Sequence, residues 1–287
     1  MVKAEEILRL RNSIYRRTPE RRLHTVDDAR VFVEEVGFCH FWPIKGVELP
    51  SLFHAIAGRV RSVPMNHDDP DNHKCWSWKD SSLDKRWWYY GKLLRRRATL
   101  VSMAELLNFY ALSENYGDLY DYQDLYRAGK MSAEAKLIYE TLLEHGPLDT
   151  VRLRREARMS SKSSQSRFKR GLVELQVGLK VLPVGVAEAG AWGYAFVYEL
   201  FQRWFPEVPQ EARPIKRSEA RRHLVQRYLD NVVAAERKMV GKVFHVLEWT
   251  SRELERTIAA LLEEGTVRET EVEGLEGPQL VSTRVLG

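Results

Sequence analysis

The pattern that most narrows the fold lies in residues 131–199: a helix, a break, a second helix, a capped third helix and a hairpin. Apolar residues at helical spacing predict an amphipathic helix over 131–145, which Gly146-Pro147 ends. A basic helix over 150–158 and a Ser-rich cap lead to a longer helix over 162–176. There Phe168, Leu172 and Leu175 recur at i, i+4 and i+7 and face a core. Two strands over 181–199 then flank a Gly190-Ala191-Trp192-Gly193 tip. Three helices that hold the last one outward beside a hairpin make a winged helix-turn-helix, a common way to place side chains in a DNA groove.

A helix running into a hydrophobic strand recurs at residues 84–101, 168–184 and 254–273, which predicts three copies of one supersecondary unit. In the first copy, Thr25 caps a helix with Asp28 three residues on, and Ala29, Phe32, Val33 and Val36 form its core face. A short helix over 50–57 follows, then an exposed loop over 62–73 and a third helix over 84–97, with no wing evident. The third copy has helices over 218–233, 240–247 and 251–264, the first burying Ala220, Leu224, Tyr228 and Leu229, and a hairpin over 266–285. The linker over 206–214 contains three prolines. The expected fold is mainly α with small β hairpins (α+β), built as three tandem winged units. Residues 1–20 form a helical arm, 21–128 a first winged-helix-like unit with an aromatic and basic cleft, 129–206 the second winged helix and 215–287 the third.

Several function classes are excluded or disfavoured by what the chain lacks. No stretch of about 18 apolar residues occurs, and the opening residues Met1-Val2-Lys3-Ala4-Glu5-Glu6 are charged where a signal peptide is apolar. Together with only two cysteines, Cys39 and Cys75, this points to a cytoplasmic protein with no membrane partner. There is no Gly-Lys-Ser/Thr phosphate loop and no Gly-x-Ser-x-Gly elbow, so nucleotide hydrolysis and ordinary serine esterase chemistry lack support. His67, Asp68, Asp69, His73 and Cys75 are metal-type ligands within nine residues. They lack the repeated short pairs of a zinc site, so neither a metal nor another cofactor is expected.

The net charge of +5 is modest but unevenly spread. Residues 85–97 hold six basic side chains and no acidic one, and residues 149–180 hold nine basic against three acidic. Glu263, Glu264, Glu269, Glu271, Glu273 and Glu276 make the C-terminal hairpin acidic. A polyanion is drawn to the first two segments and repelled by the last. The partner expected is double-stranded DNA, intact or damaged. Its candidate contacts are Lys162, Ser163, Ser166, Arg167 and Arg170 on the third helix, Trp192 at the wing tip, and Arg95, Arg96 and Arg97. Trp76, Trp78, Trp87, Trp88, Tyr89 and Tyr90, interleaved with Lys79, Lys85, Arg86 and Lys92, fit either a core or a pocket for an extruded base; Trp78 and Trp87 are the pocket candidates.

The chain resembles the AlkZ/YcaQ-like group of bacterial DNA glycosylases. The resemblance rests on residues 25–43 followed by Leu49-Pro50-Ser51-Leu52, on Trp78-Lys79-Asp80 leading to Trp88-Tyr89-Tyr90-Gly91-Lys92-Leu93-Leu94, and on Val184-Gly185-Val186-Ala187. It implies tandem winged helices and excision of alkylated or crosslinked bases through a Gln-x-Gln or Gln-x-Asp motif after the first helix. Here His40-Phe41-Trp42 stands at that position. His40 is the candidate catalytic residue, since imidazole can orient water near neutral pH; Trp42 cannot activate water and is instead a pocket candidate whose ring stacks beside the damaged base. The alternative is a non-catalytic winged-helix DNA-binding protein or transcriptional regulator. Such regulators usually pair on two half-sites, whereas three different units in one chain fit a monomer around a single lesion.

Overall fold

The computed structural model describes residues 2–66, 68–247 and 249–286. A helix α1 (Ala4–Ile14) precedes a first group made of α2 (Val26–Val36), β1 (Phe38–His40), α3 (Leu52–Ala57), α4 (Pro70–Asp80), β2 (Trp88–Lys92) and β3 (Ala98–Ser102). Helices α5 (Met103–Leu112) and α6 (Tyr122–Arg127) connect it to a second group. That group comprises α7 (Ala133–His145), β4 (Leu148–Asp149), α8 (Thr150–Glu156), α9 (Gln165–Val177), β5 (Val181–Ala187) and β6 (Ala195–Leu200). Short helices α10 (Phe201–Trp204) and α11 (Val208–Ala212) lead to the third group: α12 (Arg217–Val232), β7 (Ala234–Ala235), α13 (Arg237–Phe244), α14 (Ser251–Glu263), β8 (Val267–Thr270) and β9 (Gln279–Ser282), followed by α15 (Thr283–Leu286).

The order helix, short strand, two helices, hairpin thus occurs three times. Each group closes an antiparallel three-stranded sheet with the first strand paired to the last: β1-β3-β2, β4-β6-β5 and β7-β9-β8. The fold is α+β, with small hairpins attached to helices. Among the described residues no helix is long and apolar enough to cross a membrane.

Local chemistry sets several boundaries as the sequence predicts. Thr25 and Asp28 form a reciprocal capping box at the start of α2, with the Asp28 N–H donating to Thr25 Oγ1 at 3.1 Å and the Thr25 N–H to the Asp28 carboxylate at 2.9 Å. Thr250 and Glu253 do the same for α14.

Other elements depart from expectation. Residues 84–97 are not a helix; they contain β2, and β2 with β3 is the hairpin that is not evident in the sequence of the first copy. The reason is two-sided burial: Tyr89 enters one core while Trp88 and Tyr90 enter another, an alternation that only a strand supplies. The third helix of this group is α4, so Pro70 to His73 belong to a helix and not to the predicted loop. Asp69 caps it, accepting from the Asp71 and Asn72 N–H groups, and Pro70 takes the first turn. His67 lies outside the described residues. Helix α9 begins at Gln165, which leaves Lys162 and Ser163 in the turn before it. The proline-rich segment over 206–214 contains α11, whose Val208 and Ala212 are buried, so it is packed rather than an open linker. The C-terminal glutamates are not all free: Arg237 binds both oxygens of Glu269 at 2.7 Å, and the Glu273 backbone pairs with the N-terminal arm.

The first sheet lies between two cores. Phe38, Tyr89 and Val101 face a core that continues through α5 and α11 to Leu224, Tyr228 and Ile258 of the third group, while Cys39, Trp88, Tyr90 and Leu100 face a core with α2 and α3. The groups are therefore fused by shared apolar packing rather than strung on linkers. Polar contacts add to this. Glu105 of α5, buried, accepts from Arg227 Nε at 3.0 Å and lies 2.8 Å from His223 Nε2, both on α12.

Candidate nucleic-acid interface

An open cleft of about 1300 Å³ lies where the three groups meet. Its lining includes the turn between β2 and β3 with Arg95, Arg96 and Arg97, α9 with Arg167, Lys169 and Arg170, Arg217 from the start of α12, and the carboxylates Glu114, Glu134 and Glu174. The two basic segments of the sequence are thus brought together across one opening. Arg96, Arg97, Lys169 and Arg170 are exposed and make no ion pair among the described residues. Arg167 reaches Glu134 at 3.5 Å and remains 54% exposed, and Lys180 is buried on Asp121 at 2.8 Å. The carboxylates of the lining are engaged, Glu114 by Lys130, Glu134 by Arg167 and Glu174 by Ser132, so the exposed cations leave a positive potential in the gap.

The arginine turn is held in an unusual shape. Arg95 and Arg96 both have φ of 55°, the left-handed region where L-residues are strained, and the Arg97 N–H closes the turn on Leu94 C=O at 3.0 Å. Such turns favour Asn-Gly; here two arginines occupy the central positions, so local strain coincides with charge presented to the cleft. The turn is anchored below by Thr99, whose hydroxyl accepts from the Leu94 N–H and donates to Arg97 C=O, and at its side by Arg95, which donates to the Lys242 carbonyl.

Lys162, Ser163 and Ser166 are exposed around the start of α9, outside the lining of the cleft. Arg154 steadies this start by donating to the Ser160 and Ser161 carbonyls. On its other face α9 buries Phe168, Leu172 and Leu175 as predicted. Trp192 is 92% exposed at the tip of the β5–β6 hairpin, where Gly190 and Gly193 take the positive φ that the tight turn requires. It does not fold back onto Phe196.

His40 is enclosed. Its residue is 1% exposed, it pairs in register with Thr99, and neither ring nitrogen makes a well-formed hydrogen bond. Burial lowers its pKa to about 4; the Ala98 backbone opposes this, and Arg95 and Arg97 add to the lowering. The imidazole is therefore neutral at pH 7 and lies behind the arginine turn, not in the cleft. Trp42 is half-buried against Phe41 at 4.9 Å and Trp76 at 5.5 Å, Trp78 is half-buried against the same core, and Trp87 packs edge-on to Trp88 under Arg30. None of the three lines the cleft. Of the metal-type residues, Asp69 is tied to Arg61, Cys75 is buried and His73 is exposed; no metal-type cluster occurs among the described residues.

Two features are invisible to sequence reading. Gly91 has no side chain because the Tyr89 ring crosses it; the Tyr89 hydroxyl then donates to the Gln176 carbonyl at 3.0 Å and Gln176 accepts from the Lys92 N–H at 2.9 Å, binding α9 to the first sheet. Lys79, fully buried, carries its ammonium 4.3 Å from the Trp76 and Phe196 rings and donates to the Tyr194 hydroxyl at 2.7 Å. Burial lowers its pKa to about 8, with Asp80 opposing, so it stays largely charged at neutral pH.

Residues 23–245 match the AlkZ-related family. No curated protein matches the chain. Among solved structures, the fold is similar to that of the Streptomyces sahachiroi DNA glycosylase AlkZ, with a TM-score of 0.59 and 14% identity over 99% of this chain and 71% of that one.

Proposed function

The chain belongs to the AlkZ-related family, and from that premise we propose that it binds double-stranded DNA, as a monomer, in the cleft between the arginine turn and α9. The three repeated groups are read as winged helices, and the second presents α9 and its wing to the duplex. The observation that carries this reading is the convergence of Arg96, Arg97, Lys169 and Arg170 on one cleft, exposed and without ion pairs among the described residues. Phosphates displace no protein carboxylate to reach them, and the counterions released on binding supply the driving force. Lys162, Ser163 and Ser166 extend the surface past the start of α9, and Trp192 stacks on a base or enters the minor groove.

The similar structure is that of a DNA glycosylase, which makes damaged DNA the natural substrate class for this relative. Hydrolysis at His40-Phe41-Trp42 is less well supported than binding. A neutral, enclosed imidazole and an indole packed in a ring cluster offer no group in contact with bulk water. One observation favours excision as a second reading: neither His40 nitrogen makes a well-formed hydrogen bond, and Arg95 and Arg97 are near enough to the ring to lower its pKa, so a shift of the arginine turn on DNA binding is the movement that would expose it. Single-turnover assays on an N7-alkylated duplex, with binding measured separately, distinguish the two. Binding without excision by wild type and His40→Ala supports the first reading; excision by wild type that His40→Ala abolishes, with binding intact, supports the second.

A further inference from the structure

Lys79 lies at the end of α4 in the first group, yet two of its partners, Tyr194 and Phe196, belong to the hairpin of the second. Its ammonium sits among the rings of Trp76, Tyr90, Tyr194 and Phe196, at 4.3 to 5.6 Å from their centroids. It donates to the Tyr194 hydroxyl, which in turn donates to Asp80 Oδ1 at 2.8 Å, and Lys79 and Asp80 also pair directly. A buried cation is expensive unless it is paired and surrounded by favourable multipoles, so this arrangement has one low-energy geometry. Tyr194 is two residues from Trp192, and the intervening Gly193 adds no side-chain restraint to the tip.

We propose that Lys79 is a positioning residue: by gripping Tyr194 from the first unit, it sets where the exposed Trp192 of the second unit's wing stands relative to the cleft. The grip spans 115 residues of sequence and joins two units whose relative placement fixes the DNA-binding surface. A methionine of similar length fills the space but holds neither the hydroxyl nor the carboxylate. The link to DNA rests on the reading given under Proposed function; the positioning itself does not.

The test uses the full chain without DNA. Both cysteines are buried, so Trp192→Cys provides an exposed thiol for a nitroxide label, and a second label at Ser163→Cys serves as reference. Lys79→Met is expected to raise label mobility at position 192 and leave position 163 unchanged. Tyr194→Phe, which removes only the bridging hydroxyl, gives the same change to a smaller extent and decides the matter if Lys79→Met does not fold. Unchanged mobility at position 192 in the folded variants, or equal loosening at both positions, overturns the proposal. With duplex DNA, Trp192→Ala and Lys79→Met each lose roughly fivefold or more in affinity, and the double variant loses little beyond either. An affinity loss for Trp192→Ala with none for Lys79→Met contradicts the link. Absence of DNA binding by the parent chain removes the DNA reading while the label experiment still decides the positioning.

Discussion

The strand that carries His40 and the cleft beside α9 are close neighbours with opposite character. Around β1 the side chains are dry and interlocked: Phe41 is 1% exposed and meets Trp42, Trp76 and Tyr90. Across the arginine turn the surface is open and charged, with Arg96, Arg97, Lys169 and Arg170 exposed and outside any ion pair among the described residues. His40 and Phe41, where the family resemblance leads one to expect a polar motif, are buried, while exposed cations line the cleft. The two regions therefore respond to different perturbations.

The largest expected effect tests the closed region. Phe41→Ala removes a ring touched by three others and costs about 3–5 kcal/mol of stability in chemical denaturation; a loss under about 1 kcal/mol shows that the cluster around β1 is loose enough to open as an active site.

Next comes pH. The folded pKa of His40, about 4, is below its unfolded value near 6.5, so folding favours the neutral ring. The stability gained is complete above about pH 6.5 and is lost as pH falls through 4, a drop of roughly 3 kcal/mol. His40→Gln removes that portion of the acid sensitivity. A wild-type profile that matches the variant's between pH 6.5 and 4 means that His40 is hydrated.

The smallest effect concerns charge far from the cleft. Glu271 is exposed, whereas Glu269 is tied to Arg237 and Glu273 contacts Lys3. Glu271→Lys alone raises non-specific DNA affinity by roughly twofold or threefold at low salt and leaves stability within about 0.5 kcal/mol. A loss of affinity places DNA on the third unit as well.

What was legible in the sequence followed from local chemistry. Thr25 with Asp28, the Phe168-Leu172-Leu175 stripe and the Gly-flanked Trp192 carry their own structural instruction, and each adopts it. The segment over 84–97 misled because Trp88-Tyr89-Tyr90 is apolar throughout; with a core on each face, a strand loses the alternation that identifies it. The start of α4 was available in Asp69-Pro70, a cap followed by proline, but the surrounding Asp and His residues obscured it. The cleft was half legible: its two basic segments stood out by charge, but their convergence, and the arrival of Arg217, depend on packing between groups. The cage around Lys79 was not legible, since it joins residues 79 and 194.

The central claim is that DNA lies in the cleft, and its most direct test is the salt dependence of duplex affinity for wild type and an Arg96, Arg97, Lys169 and Arg170 to alanine variant. All four side chains are exposed, so the variant folds as the parent does. The account predicts weaker binding and a plot of log affinity against log salt whose slope falls by about 3 to 4, near 0.9 for each phosphate that the variant no longer neutralises. A folded variant that keeps both the parent's affinity and its slope contradicts it.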